Sequence, residues 1–147
     1  MEAFWQVYFT QTGIGWAVMG AMIAVAFGGA GSARGIRVAA GQAAGVLSEK
    51  PEMFGKLLVL MALPGTQGFY GFIVAIFTAQ STGLLAGKLA CTPMQGVALM
   101  AVGICSGVVL YRSAVYQGEA SAAAINLTSR RPEQAGRSIL MPALVET

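Results

Sequence analysis

The apolar positions of this chain fall into three long runs free of charge, at residues 3–33, 57–87 and 89–111. A helix needs about 20 mostly apolar residues to cross the hydrocarbon core of a bilayer, and each run is long enough. All three are rich in Gly, Ala, Val, Leu and Met. The pattern therefore predicts membrane-spanning helices near 12–47, 53–80 and 93–127. The first run is not a cleavable leader, which has a basic start and an apolar stretch of roughly 7–15 residues; here Glu2 precedes a far longer stretch.

Most of the charge falls in two clusters. One contains Arg34, Arg37, Glu49, Lys50, Glu52 and Lys56; the other contains Arg112, Glu119, Arg130, Arg131, Glu133 and Arg137. Between them, Ser81–Thr92 carries only Lys88. Basic loops stay on the cytoplasmic side, so both clustered turns are expected inside, with the N-terminus and the Lys88 turn outside. A fourth helix is expected from about Pro132, a residue suited to a first helical turn. The stretch from Pro132 to Thr147 reaches about 24 Å at 1.5 Å per residue, so the sequence as given is expected to stop inside its last helix.

Composition sharpens this picture. Of 147 residues, 56% are hydrophobic and 10% charged, with a mean hydropathy of +0.67; a soluble domain carries roughly 25% charged residues. The expectation is one multi-pass membrane domain. There is no Asp and no His, which removes His-based triads and disfavours a protein-built zinc or haem site. Cys91 and Cys105 lie in apolar surroundings and read as buried thiols. The net charge of +3 fits basic inner loops better than nucleic acid.

Shifted by 81 positions, the chain matches itself. Ser32-Ala33 falls on Ser113-Ala114, Ser48 on Ser129, Pro51-Glu52 on Pro132-Glu133, Gly55 on Gly136, Leu63 on Leu144 and Thr66 on Thr147. The chain thus reads as two tandem helical hairpins, residues 1–81 and 82–147, four transmembrane helices in all, in parallel orientation. The hairpins differ where it matters: Gln117 falls on Ile36, and Glu146 on Gly65.

Counting outward from the two basic turns gives depth. Gln117 lies about 14 residues before its turn and Glu146 about 14 after it, roughly 22 Å away on neighbouring helices. Thr66 and Gln67 reach the same depth from the first turn. These four residues form one expected polar layer. An ionised carboxylate in hydrocarbon is expensive, so it must be protonated, paired or bound to an ion. No Lys or Arg adjoins Glu146 in sequence. One carboxylate among neutral oxygens suits a hard monovalent cation, Na⁺ or H⁺. The competing reading is that the amides merely join helices by hydrogen bonds. Pro64 and Gly65 can either loosen the helix beside the layer and free a carbonyl or simply kink it for packing.

Small residues crowd helices one and three, including Gly20, Gly28-Gly29-Ala30-Gly31, Gly35, Gly103 and Gly107. They permit close helix approach, as a tightly curved inner ring of helices requires; the alternative is dense packing within a single bundle. No strand precedes the Gly28–Gly31 run, so it is not a phosphate loop. Arg112 lies about 140° around the helix from Gln117. It shares a face with Glu119, which suggests a structural pair or a lipid-phosphate contact away from the ion layer.

Together, Leu63-Pro64-Gly65-Thr66-Gln67-Gly68-Phe69-Tyr70-Gly71, Tyr116-Gln117-Gly118, Arg131-Pro132-Glu133 and Pro142-Ala143-Leu144-Val145-Glu146-Thr147 closely resemble the membrane-rotor proteolipid (the K or c-ring component) of V-type and archaeal-type ATPases of the sodium-pumping bacterial branch. The resemblance covers the whole chain. It implies a non-catalytic rotor subunit in a bacterial cell membrane, assembling as a homo-oligomeric ring. It implies a sodium ion held by the Leu63 carbonyl, the Thr66 hydroxyl, the Gln67 and Gln117 amide oxygens and the Glu146 carboxylate, with Tyr70 donating to that carboxylate. It also implies a stator membrane subunit with an essential arginine, and a central stalk docked on the cytoplasmic turns. No organic cofactor is implied. Arg112 departs from the apolar residue expected there. An independent four-helix cation transporter or channel would account for Glu146 but not for the glycine-rich faces or the duplicated turns; a purely structural scaffold would make Glu146 dispensable.

Overall fold

The structure is a computed structural model and describes residues 2–88 and 90–146. The expected match of Thr66 with Thr147 therefore lies outside the described residues. Among these residues the chain is helical and contains no strand. Three helices are long and apolar enough to cross a membrane: Ile14–Glu49, Pro51–Ser81 and Pro93–Arg130. Their bounds lie within a few residues of those read from the charge-free runs.

In chain order the elements are α1 (Glu2–Trp5), a π-helical stretch (Gln6–Gln11), α2 (Ile14–Glu49), α3 (Phe54–Ala62), α4 (Thr66–Ser81), α5 (Pro93–Arg130), α6 (Ala135–Ser138) and α7 (Leu140–Val145). Single 3₁₀ turns at Pro51–Met53, Leu63–Gly65 and Pro132–Gln134 connect them. The Leu63–Gly65 turn sits where Pro64 has no N–H for the carbonyl four residues earlier, so the helix tightens there instead of breaking. The last segment, expected as one helix from about 132, is instead the 3₁₀ turn, α6 and α7, interrupted at Ile139.

Local chemistry explains the ends. Helix α5 opens with a reciprocal cap: the Thr92 N–H donates to Gln95 Oε1 at 3.0 Å and the Gln95 N–H donates to Thr92 Oγ1 at 3.3 Å, with Pro93 in the first helical position. The link before it turns on Gly83 and Gly87, at φ 74° and 66°, values that L side chains rarely adopt. The residues preceding the two basic turns match closely: Lys50 has φ −137°, ψ 70°, and Arg131 has φ −134°, ψ 75°.

Contacts divide the chain into two compact units, Met1–Gly28 with Gly68–Leu110, and Gly29–Gln67 with Tyr111–Thr147. In the first, the aromatic rings of Phe4, Trp5, Tyr8, Phe9 and Trp16 stack in series at centroid distances of 4.5–5.5 Å. Trp16 Nε1 donates to the Phe9 carbonyl at 3.1 Å. This folds the N-terminal segment back onto the start of α2, an element the apolar pattern did not separate from that helix. Also in this unit, a side chain at Gly103 would collide with the backbone of Gly20, so α2 and α5 touch main chain to main chain.

The second unit has its own core of Ala39, Ala43, Met53, Leu57, Leu60, Ala124 and Ile125. Here α2 and α5 again meet through small residues: a Cβ at Gly35 would strike the Ala114 carbonyl and Pro64, and one at Gly118 would lie 2.5 Å from the Gly35 Cα. Near the turns, Gln42 Nε2 donates to Asn126 Oδ1 at 2.6 Å and Lys50 Nζ to the Ser129 carbonyl at 2.8 Å. The lysine thereby satisfies a carbonyl at the end of α5 that has no helical donor.

Candidate functional site

The second unit also contains a chain of polar contacts linking the 3₁₀ turn, α4, α5 and α7. Thr66 Oγ1 lies 3.1 Å from the Leu63 carbonyl oxygen and 3.3 Å from Gln67 Oε1. Its single hydroxyl hydrogen can serve one of the two at a time. Gln67 Nε2 donates to Gln117 Oε1 at 2.7 Å and to Ser113 Oγ at 3.2 Å. Gln117 Nε2 donates to the Pro142 carbonyl at 3.1 Å and to Glu146 Oε2 at 3.5 Å. Five residues singled out in the sequence, Leu63, Thr66, Gln67, Gln117 and Glu146, are thus joined in one network.

The burial of these groups makes their pairing matter. Gln67 is 1% exposed and Gln117 fully buried, while Glu146 is half-buried. A buried amide without partners is costly, and here each amide nitrogen has two acceptors. The donor set is one carboxylate and neutral oxygens. No group of three or more His, Cys, Asp or Glu occurs among the described residues. An oxygen set of charge minus one can neutralise a monovalent cation or hold a proton; it lacks the thiolates and imidazoles that select softer metals.

Two details differ from the sequence reading. Pro64 and Gly65 tighten the chain into a 3₁₀ turn instead of loosening it, and the Leu63 carbonyl is not left open, because it accepts from the Thr66 N–H within that turn as well as facing the Thr66 hydroxyl. Arg112 and Glu119 form no ion pair: seven residues separate them by about 10 Å along the axis, and the ion pair among the described residues is Arg131–Glu133, at 3.8 Å. Arg112 instead borders a cavity of about 260 Å³ with Arg34, Tyr111, Val115 and Tyr116. There Arg34 Nη1 donates to the Tyr111 hydroxyl at 3.1 Å. Tyr70 lies on α4 and is 41% exposed.

Sequence reasoning missed two members of the network, Ser113 and the Pro142 carbonyl. Ser113 lies four residues before Gln117, on the same helical face, a signal that could have found it. A main-chain acceptor leaves no side-chain signature. The positions 81 residues earlier than Gln117 and Glu146 are also neighbours: a Cβ at Gly65 would lie 3.6 Å from Ile36 Cδ1. An apolar contact occupies that place.

The family model for the C subunit of ATP synthase matches residues 19–78 and 100–147. The chain is similar to the V-type sodium ATPase subunit K of Enterococcus hirae, with 33% identity over 135 residues, covering 92% of this chain and 83% of that protein. It is similar to the A-type ATP synthase subunit K of Methanocaldococcus jannaschii, with 34% identity over 129 residues, 88% of this chain. The aligned region spans 54% of that second protein's length.

Proposed function

Because the chain belongs to the family of the ATP synthase C subunit, non-catalytic membrane subunits of ion-translocating ATPases, we propose that it is a rotor-ring subunit that carries Na⁺ on Glu146. The observation that carries this reading is the hydrogen-bonded series Gln67–Gln117–Glu146 with Thr66 and Leu63 at its head. A proton site needs only a carboxylate and one partner. Two buried amides and a hydroxyl in addition supply the neutral oxygens that a sodium ion takes in place of its hydration shell.

In this reading the ion enters between oxygens that already accept hydrogen bonds from within the site. The Gln67 Nε2 to Gln117 Oε1 bond yields, the Thr66 hydroxyl turns its hydrogen away from the ion, and the Leu63 carbonyl adds a fifth oxygen. Tyr70 donates to the carboxylate. Glu146 and Na⁺ together are neutral, so the loaded site can face lipid as the ring turns. A stator subunit bearing an arginine displaces the ion at an aqueous half-channel. A central stalk docks on the turns at Lys50–Pro51 and Arg131–Pro132. Two tandem hairpins, four spans and a bacterial cell membrane complete the proposal. The two matched stretches begin 81 positions apart, which supports the duplication.

The test is modification of Glu146 by a hydrophobic carbodiimide in membranes. Labelling is expected to fall steeply as NaCl replaces KCl at constant ionic strength. Equal labelling in the two salts would reassign the site to protons.

A further inference from the structure

Several charges on the long helices have no partner among the described residues, and two of opposite sign, one on α2 and one on α5, share a level. Arg37 on α2 and Glu119 on α5 are both exposed, and neither makes a hydrogen bond or ion pair among the described residues. They lie at one level. The backbones of α2 and α5 come closest where Gly31 meets Tyr111 and Gly35 meets Gly118, offsets of 80 and 83 positions. Applied to Arg37, these offsets point to residues 117–120, which include Glu119.

The two charges also point away from the contact between their own helices. Gly35 faces α5, and Arg37 is two residues on, about 200° around α2. Ala114 and Gly118 face α2, which puts Glu119 about 100–140° away from that contact around α5. One flank of the unit thus presents a cation and the other an anion at the same height. Such a surface complements a second copy of itself head to tail, a geometry that closes into a ring when the rotation allows. The other charges on α2 and α5 fit less well: Glu49 lies at the turn, Arg34 already bonds Tyr111, and Arg112 and Arg130 lie seven and eleven residues from Glu119, about 10 and 16 Å from its level along α5.

We propose that Arg37 of one copy and Glu119 of the next form an ion pair between chains, and that this pair fixes the height at which neighbouring subunits meet. The proposal rests on the ring reading above. A charge left without a partner on a membrane helix is costly. A copy displaced by one helical turn separates the two charges by about 5.4 Å, so the pair penalises misregistered assembly.

The experiment uses the full chain in membranes, with Cys91→Ser and Cys105→Ser as background. Oxidation of the Arg37→Cys, Glu119→Cys double variant is expected to give a ladder of dimers, trimers and higher bands. Neighbours in a closed assembly meet at high effective concentration, so dimer yield is expected about tenfold above either single-cysteine chain. In parallel, Arg37→Glu or Glu119→Arg alone is expected to lower the temperature at which the assembly dissociates on a native gel, and the double swap to restore it. A cross-link confined to single chains, or a double swap no more stable than the worse single variant, overturns the pair. A wild-type assembly whose double-cysteine variant yields no ladder removes this proposal alone; a wild-type chain that runs only as a monomer removes the ring reading with it.

Discussion

Gln117 is the residue on which the site turns, because its amide bonds Gln67, the Pro142 carbonyl and Glu146 at once. Replacing it with Ile is expected to weaken sodium affinity far more than assembly. Hydrogen bonds between membrane helices average only about 0.6 kcal/mol, too little to dismantle a large oligomer, and Ile36 already occupies the corresponding place beside Gly65. Ring yield on a native gel, set beside sodium-dependent ATPase activity of the complex, separates the two effects. Lost assembly with unchanged sodium dependence in the surviving fraction would make Gln117 a helix connector only. A second residue-scale expectation concerns Cys91, whose thiol is pushed above its ordinary pKa by burial. Thiolate is the reactive form, so maleimide labelling of Cys91 is expected to be slow at neutral pH and to rise only at more alkaline pH than for a free thiol; mass spectrometry across a pH series reads this directly. The polar layer was legible in the sequence because carboxylates and amides are rare in charge-free runs and helical rise converts residue counts into depth. Ser113 was legible only by helical face, and the Pro142 carbonyl not at all, since every residue carries one.

At the level of the elements, the contact between α2 and α5 depends on absent side chains. Gly35→Val would drive a branched side chain into the Ala114 carbonyl and Pro64, and overpacking of this kind costs about 1–3 kcal/mol. Gly45→Ala, on the same helix with nothing within 4 Å, is expected to be neutral or to gain a few tenths of a kcal/mol from helix propensity. Thermal dissociation followed on a native gel ranks the two; equal behaviour would mean that the close approach is not needed. The three long helices were readable because runs of apolar residues admit few alternatives in lipid. The N-terminal fold-back was not, because its residues are as apolar as those of α2 and only the stacking of Trp5, Phe9 and Trp16 separates them. The break at Ile139 was likewise hidden, although Pro142, three residues later, has no N–H to donate to the carbonyl of Ser138.

For the whole molecule, a single carboxylate joined to the Gln67–Gln117 network would set the arithmetic of transport in the proposed rotor. Gly65 stands where a second carboxylate would, so carbodiimide is expected to saturate at one label per chain, on Glu146. Intact-mass analysis checks the count, and a second label on Glu119 in an assembled ring would contradict its pairing with Arg37. In the proposed rotor, fewer ion-carrying carboxylates for a given number of helices would move fewer ions per revolution, which favours pumping against a steep gradient. The glycine-lined seam of α2 and α5 bears on this in a mechanical way. Within each unit the two helices touch backbone to backbone, at Gly20 against Gly103 and at Gly35 against Gly118. Flexible side chains that could deform under shear are missing from those contacts. In the proposed rotor, a wall built from such struts would have little elastic compliance, so torque applied at the basic turns would reach Glu146 with almost no wind-up and each step would be delivered to the ion in phase.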